Sequence, residues 1–181
     1  MSTFTKAEPL FEANIKNKVE LLAFMYGSLI IRLTKDIADL DEINRKTEEI
    51  GYNMGKRLLD DIIDDLKDKY DPSNSKMMEI LIKQLLQNYL GILPEIKQIS
   101  EKEYHILFVK NPISFYVELP EHLNALCYSN IICGIIRGML EVAGYEVTCE
   151  FVKDTVKDDD VNDIKLTFVK IIEEVFIDDE E

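Results

Sequence analysis

Hydrophobic positions in the first half of the chain recur every three or four residues, which is the spacing of amphipathic helices. This pattern predicts helices over residues 18–39, 41–69 and 75–90, with a proline-containing loop at 70–74 and a stop at Gly91. In the first helix the apolar positions extend beyond one narrow face, which is typical of a helix that packs on two sides. We expect the second side to contact a partner chain.

The second half of the chain has a different pattern. Residues 104–109, 113–119, 146–156 and 164–172 are rich in β-branched and aromatic side chains and are bounded by Asn, Pro, Gly or Asp, which predicts four strands. A fourth helix is predicted over 121–142. Helices and strands thus follow one another in runs, which favours an α+β fold in which a helical layer packs on an antiparallel four-stranded sheet.

The same patterns divide the chain into three parts. Residues 1–17 have no clear period and are predicted to be an N-terminal arm, 18–172 a single domain, and 173–181 an acidic tail. A total of 181 residues favours one domain with tails.

Two of the predicted helices each have a pair of glycines one turn apart. These are Gly51 and Gly55 in the second helix and Gly134 and Gly138 in the fourth. A glycine inside a helix costs about 1 kcal/mol relative to alanine, so close backbone contact is the expected reason for the pairs. The inner stripe of the second helix is predicted from its apolar residues, which are Ile43, Ile50, Met54, Leu58 and Ile62.

The acidic net charge argues against some classes of binding partner for this chain, nucleic acid above all. The chain has 35 acidic and 21 basic residues, a formal net charge of −14, and no basic run. Nucleic-acid binding needs a basic face and is therefore not expected, and attraction to anionic lipid is weak.

The three cysteines are odd in number and lack Cys-x-x-Cys spacing, which favours a reduced, cytosolic protein without a metal centre. Residues 1–20 lack a signal-peptide core, and the apolar stretch 123–145 is too polar to span a bilayer.

Two acidic motifs are candidate metal sites. Asp60, Asp61, Asp64 and Asp65 form the Asp-Asp-x-x-Asp string that holds Mg²⁺ and diphosphate in prenyl synthases, but no second acidic cluster accompanies them. A solvated helix face is the favoured interpretation.

The second motif begins like a calcium-binding EF-hand loop at Asp158. Asp163 replaces the required glycine and Val169 the required glutamate, so a hairpin turn is favoured. His105 and His122 belong to no catalytic motif, and Cys127 and Cys133 are expected to be small buried hydrophobic residues. No enzyme activity and no cofactor are predicted.

Several motifs in the right order resemble one family. The strongest are Phe-Tyr-Val-Glu-Leu-Pro at 115–120 and Leu-Cys-Tyr-Ser-Asn-Ile-Ile-Cys-Gly-Ile-Ile-Arg-Gly at 126–138. Others are Tyr-Gly-Ser-Leu at 26–29 with Lys-Asp at 35–36, Gly-Tyr-Asn-Met-Gly-Lys-Arg-Leu at 51–58, Tyr-Leu-Gly-Ile at 89–92 and Phe-Val-Lys-Asp-Thr at 151–155. Together these resemble the trafficking protein particle (TRAPP) complex subunit 3 family over residues 21–174.

The resemblance implies a non-catalytic role. It implies an α+β subunit that dimerises through its helical face, with itself in isolation or with a paralogous TRAPP subunit. The complex would tether ER-derived vesicles and promote nucleotide exchange on an early-secretory Rab GTPase. The expected location is cytoplasmic and peripheral at the cis-Golgi and ER exit sites, with membrane contact only through the complex.

The resemblance also implies roles for particular residues. The dimer-interface candidates are Leu22, Tyr26, Ile30, Leu33, Met54 and Leu58. The candidates for the wall of an internal acyl tunnel are Leu81, Leu85, Leu86 and Tyr89. The candidates for contact with the GTPase are Phe176, Asp178, Asp179 and Glu180, although a solvated terminus is the alternative for these.

One departure from the family concerns acylation. Many members carry a cysteine before the third helix that is acylated by a fatty chain. Here Asp71 stands near that position, and no cysteine precedes Cys127. Leu85 and Leu86 are bulky where acylated relatives have small residues, so we expect a narrowed or filled tunnel and no covalent acyl chain. A stand-alone module of the same broad fold that binds a hydrophobic ligand is the alternative function.

Overall fold

The computed structural model describes the backbone of residues 8–66, 70–71 and 76–172 and, among these, the side chains from residue 20 onward. The elements are α1 (Glu8–Asp36), α2 (Leu40–Leu66), α3 (Met77–Leu90), β1 (Glu95–Gln98), β2 (Glu103–Phe108), α4 (Asn130–Val142), β3 (Tyr145–Lys153) and β4 (Asn162–Ile171), with short 3-10 turns at Glu121–Leu123 and Thr155–Lys157. Four helices and a four-stranded antiparallel sheet confirm the predicted α+β class.

The sheet has the strand order β1-β2-β4-β3, and every neighbouring pair is antiparallel. Along β2, Tyr104, Ile106 and Phe108 are buried and alternate with half-buried residues. On β4, Ile164 and Leu166 are buried on the same side as these three, because they pair with Ile106 and Tyr104. This face packs towards the helices, and α4 lies against β3.

The glycine pairs predicted to allow close approach lie where α2 crosses α4. A Cβ atom on Gly51, Gly55, Gly134 or Gly138 would overlap backbone atoms of the opposite helix. The overlapped carbonyl oxygens, for each glycine in turn, are those of Ile131, Ile135, Glu48 and Tyr52. The two backbones are therefore in direct contact, which is the reason that all four positions lack a side chain.

The predicted inner stripe of α2 is partly wrong for the same reason. Ile43 and Ile62 are buried as expected, but Met54 is exposed and Ile50 and Leu58 are only half-buried. The face of α2 that is buried instead includes Thr47, Gly51, Gly55 and Leu59. Apolar periodicity misplaced the stripe because two of the residues nearest α4 have no side chain.

Residues 113–119, predicted as a strand, form a series of turns, so that prediction was wrong. The Asn111 side chain accepts a hydrogen bond from the Ile113 N–H at 3.3 Å, and the Val117 N–H donates to the Ser114 carbonyl at 3.0 Å. Backbone groups are thus paired locally instead of with a neighbouring strand.

The helix predicted over 121–142 begins only at Asn130. The Asn44 side chain, on α2, donates to the Ala125 carbonyl at 3.2 Å and accepts from the Cys127 N–H at 2.8 Å. A continuous helix would need these two backbone groups, so their capture by Asn44 explains the later start.

Two further boundaries differ from prediction. The first helix begins at Glu8, within the predicted arm 1–17, in a stretch where Glu, Leu, Ala and Lys have good helix propensity but no clear apolar period. The strand β1 was not predicted, because its residues are mostly polar and exposed. It lies at the edge of the sheet, next to β2.

Helix α1 is attached to the rest of the chain through Tyr26. The Tyr26 hydroxyl donates to the Tyr128 carbonyl, and the two rings meet edge to face with centroids 5.2 Å apart. Burial raises the pKa of Tyr26 far above its usual value, with a further contribution from Tyr128, so the hydroxyl stays protonated and donating. Ile30, one turn further along, is also buried in the core.

The α2–α4 crossing predicts a large difference between two glycine substitutions. Gly55→Ala should lower the free energy of unfolding by about 1–3 kcal/mol, because the new methyl group overlaps the Ile135 backbone. Gly27→Ala, where the nearest atom is the Tyr128 hydroxyl at 3.4 Å, should leave it unchanged or raise it by up to about 1 kcal/mol. Urea unfolding of both variants measures this, and equal midpoints would contradict the proposed backbone contact.

The Tyr26 anchor predicts a loss of stability on removing one oxygen atom. Tyr26→Phe should lower the free energy of unfolding by about 1–3 kcal/mol, because the Tyr128 carbonyl loses a donor in a buried site where Tyr26 is 3% exposed. The matched control is Tyr116→Phe at a side chain that is 77% exposed, where we expect a change within about 0.5 kcal/mol. A Tyr26 variant as stable as its control would show that the hydrogen bond does not hold α1 in place.

Candidate protein-interaction surface

One side of α1 carries large apolar side chains that no described residue covers. Phe24 is 79% exposed, and Leu21, Met25 and Ile31 are exposed to more than half of their surface. We call these four residues the α1 patch. Single exposed apolar residues are ordinary, but a contiguous set on one helix is typical of an interaction site.

An open groove of about 460 Å³ runs between α1 and the segment that precedes α4. Its lining consists of Glu20, Ala23, Phe24, Gly27, Ser28, Ile31, Ile113, Tyr116, Val117 and Tyr128. On the α1 side the groove is lined by the small residues Gly27 and Ser28. Tyr116 lies on the opposite side, and its ring meets that of the exposed Phe115 edge to face, with centroids 4.9 Å apart. The groove and the α1 patch share Phe24 and Ile31, so they form one continuous apolar surface.

The six dimer-interface candidates fall into three groups. Tyr26 and Ile30 are buried inside the chain itself, Leu22, Leu33 and Leu58 are half-buried, and Met54 is exposed. The apolar side chains that α1 exposes to solvent are instead those of the α1 patch, which lie next to these candidates along the helix. The unusual breadth of apolar positions in this helix is the sequence signal for Leu21, Met25 and Ile31, whereas Phe24 was not singled out.

The outer surface of the α2–α4 crossing is closed by charged groups around Tyr52. The Arg137 guanidinium and the Lys56 ammonium lie 5.0 and 5.1 Å from the centre of the Tyr52 ring. The Tyr52 hydroxyl donates to Glu141 Oε1, and Arg137 Nη1 lies 3.3 Å from Glu48 Oε1. This cluster joins the two helices, and both of its cations contact the Tyr52 ring.

The predicted tunnel wall lies within the hydrophobic core. Leu81, Leu85 and Leu86 on α3 are fully buried. Tyr89 is half-buried, and its hydroxyl donates to Asp61 Oδ2 at 3.3 Å. Burial raises the pKa of Tyr89, and the nearby Asp61 carboxylate raises it further. The structure thus places the three leucines together and Tyr89 beside them at the surface.

Asp71 is exposed and lies near the start of β3. Burial raises the pKa of Tyr145, the first residue of β3, and the neighbouring Tyr70 and Asp71 raise it further. The candidates for GTPase contact, Phe176, Asp178, Asp179 and Glu180, lie outside the described residues.

The two acidic motifs have structural roles in the described residues. Asp60, Asp61, Asp64 and Asp65 are exposed on α2, as the solvated-face interpretation expects. The segment that resembled an EF-hand loop starts at Asp158 in the connection between β3 and β4, and its later positions, including Asp163 and Val169, belong to β4, which agrees with the predicted hairpin. Within residues 20–66, 70–71 and 76–172 no three His, Cys, Asp or Glu side chains are grouped as metal ligands.

Cys133 is buried, as expected, whereas Cys127 and Cys149 are half-buried. Burial raises the pKa of Cys149 to about 12 and that of Cys133 well above its usual value. Both are therefore protonated at neutral pH and weak nucleophiles. Among the helices that the structure describes, none combines the length and the apolar character needed to cross a membrane.

Comparison with known proteins identifies the family. A sequence model described as "Transport protein particle (TRAPP) component" matches residues 22–167. The chain is 34% identical over 170 residues to trafficking protein particle complex subunit 3 of Dictyostelium discoideum, covering 90% of this chain and 91% of the relative. It is 29% identical to transport protein particle subunit bet3 of Schizosaccharomyces pombe, covering 96% of each.

A solved structure and a more distant relative agree with this. The crystal structure of a trafficking protein particle complex subunit 3 from Naegleria fowleri, covalently bound to palmitic acid, is 37% identical with a TM-score of 0.80, covering 88% of this chain and 99% of that one. Subunit 5 of the Dictyostelium discoideum complex is 24% identical over 139 residues, covering 73% of each. With most of its length matched in sequence and in fold, the chain belongs to the TRAPP component family.

Proposed function

We propose that the chain is a non-catalytic scaffold subunit of a TRAPP-type vesicle-tethering complex in ER-to-Golgi transport. As part of the complex it promotes nucleotide exchange on an early-secretory Rab GTPase. The observation that carries this proposal is the continuous apolar surface formed by the α1 patch and the adjoining groove. Its expected place is the cytoplasm, peripherally at the cis-Golgi and ER exit sites.

The energetics of the α1 patch support assembly through it. Full burial of one large apolar side chain contributes about 1.5–3 kcal/mol, and four such residues lie together on α1. Aromatic side chains at the centre of an interface contribute most to affinity, and Phe24 lies between Leu21 and Ile31 along the helix.

The partner is another subunit with the same fold. The relationship to Dictyostelium discoideum subunit 5 supports paralogous partners, because related folds can present an equivalent helical face. Without a paralogue, the chain is expected to pair with itself through the same surface. The dimer-interface proposal therefore keeps the half-buried Leu22 and Leu33 and adds the four residues of the α1 patch, while Tyr26 and Ile30 support the patch from inside.

A charge placed in the α1 patch tests this proposal. Phe24→Glu should reduce co-purification of other TRAPP subunits with the tagged chain by at least about tenfold, since burying an unpaired carboxylate costs several kcal/mol. Nucleotide exchange on the Rab GTPase by the purified material should fall in parallel. Quantitative mass spectrometry and a fluorescent-nucleotide exchange assay provide the two readouts.

The matched control is Leu93→Glu, at a side chain that is 77% exposed and belongs to neither the α1 patch nor the groove lining. This variant should keep the other subunits and the exchange activity. Retention of both by the Phe24 variant would contradict assembly through α1. Recovery of the unsubstituted chain alone with a bound lipid would favour the hydrophobic-ligand-binding module instead.

We also propose that the chain carries no covalent acyl chain. The Naegleria fowleri relative is described as covalently bound to palmitic acid, whereas the side chain at position 71 is a carboxylate and cannot form a thioester. Leu81, Leu85 and Leu86 are fully buried, which supports a core filled by side chains where acylated relatives have a tunnel.

Intact mass tests the acyl proposal. The purified chain should have the mass of the polypeptide alone, and Asp71→Cys should react slowly with palmitoyl-CoA, in which the thiolate attacks the acyl carbonyl and CoA leaves. Adding Leu85→Ala should speed that acylation, because the truncation opens space in the core. An acyl mass on the unsubstituted chain, or equal rates for the single and double variants, would contradict the filled core.

A further inference from the structure

His105 lies at the centre of a cross-strand cluster that the proposed function does not use. It lies on β2, on the face of the sheet opposite to the buried Tyr104 and Ile106. Its Nδ1 atom is 2.8 and 3.0 Å from the two carboxylate oxygens of Asp163 on β4. Its Nε2 atom is 3.3 Å from Glu103 Oε1 on its own strand. Both ring nitrogens therefore face carboxylates.

This geometry distinguishes the two charge states of the imidazole ring. A neutral ring has one N–H and one lone pair, so it can donate to only one of the two carboxylates and its lone pair faces the other. A protonated ring donates to both. Asp163 is only 7% exposed, so water screens its charge little. The carboxylate therefore interacts strongly with a positive charge beside it.

Other charges near His105 come from β1, β3 and β4. Lys97 on β1 and Lys165 on β4 are the residues directly opposite His105 in the two ladders. Each lysine has a carboxylate of its own, since Lys97 lies 3.3 Å from Glu95 and Lys165 lies 3.5 Å from Glu150 on β3. The lysine charges are thus partly compensated, and the carboxylates of Asp163 and Glu103 are the groups closest to the ring.

The cluster links the two central strands of the sheet. β2 and β4 are the two central strands, and their pairing joins β1 to β3. Beside Asp163, the Asn162 side-chain amide donates to the carbonyls of Phe108 and Val109 at 3.2 and 3.3 Å. Two consecutive residues at the start of β4 therefore hold β2 through their side chains.

We propose that His105 is a proton-dependent latch between β2 and β4: when protonated it donates to both Asp163 and Glu103, and when it loses its proton it can donate to only one of them and the ion pair that joins β2 to β4 is lost. The latch is a property of the folded chain itself and does not depend on the proposed assembly.

The direction of the pH effect follows from the surroundings of the ring. Burial alone would lower the pKa of His105, but the hydrogen bonds to Asp163 and Glu103 and the attraction of both carboxylates outweigh it and raise the pKa above the ordinary 6.5. The stabilisation is therefore fully present below about pH 6.5 and is lost as the pH rises through the raised value in the folded state.

NMR titration of the full-length chain tests the latch at the ring itself. The chain has only two histidines, so a His122→Gln background leaves the His105 ring signal alone. Its midpoint should lie above 6.5, and Glu103→Gln and Asp163→Asn should each lower it, Asp163→Asn by more. A midpoint at or below 6.5, or one that neither variant lowers, would overturn the proposal.

A stability comparison separates the latch from simple packing. The ratio of unfolding constants between His105→Gln and the unsubstituted chain should be largest near pH 6 and should decline as the pH rises, whereas His122→Gln should show no such decline. If Asp163→Asn does not fold, Glu103→Gln and this ratio still test the proposal. A ratio that is independent of pH from 5.5 to 9 would mean that His105 only fills space and would overturn it.

Discussion

The contact on which the rest of the structure depends is the crossing of α2 and α4 at four glycines. Gly51, Gly55, Gly134 and Gly138 let the two backbones touch, and any side chain there would push the helices apart. Because α4 also lies against β3, the crossing fixes the distance between the helical layer and the sheet. The Tyr52 cluster closes the crossing on its outer side, and Asn44 holds the approach to α4 against α2.

This arrangement leaves one side of α1 open for the proposed assembly. The α2–α4 pair fills its own interface without α1, so α1 joins the core through one side only, around Tyr26 and Ile30. Its other side keeps Phe24 and its apolar neighbours exposed. An exposed apolar surface of this kind is typical of an interaction site, which agrees with membership of a family whose members are named as components of a trafficking complex.

The sequence predicted features that depend on local pattern. The structure confirms the predicted strands β2, β3 and β4 and the predicted end of α3 at Gly91. It also confirms that the glycine pairs allow close backbone contact. Predictions failed where a distant residue or an edge position decided the outcome. Asn44 delays α4 from more than eighty positions away in the chain, residues 113–119 satisfy their own backbone in turns, and β1 has no buried face to give it a period. The pairing of His105 with Asp163 depends on strand register and has no local signal.

Hydrogen exchange of the assembled complex is the most direct test of the central claim, that a partner subunit covers one side of α1. Backbone amides of residues 20–33 should exchange at least about tenfold more slowly in the complex than in the isolated chain at low concentration. Amides at the α2–α4 crossing, which is complete within one chain, should exchange equally in both. Unchanged exchange in 20–33, with protection appearing only on β1 or the open face of the sheet, would contradict the account.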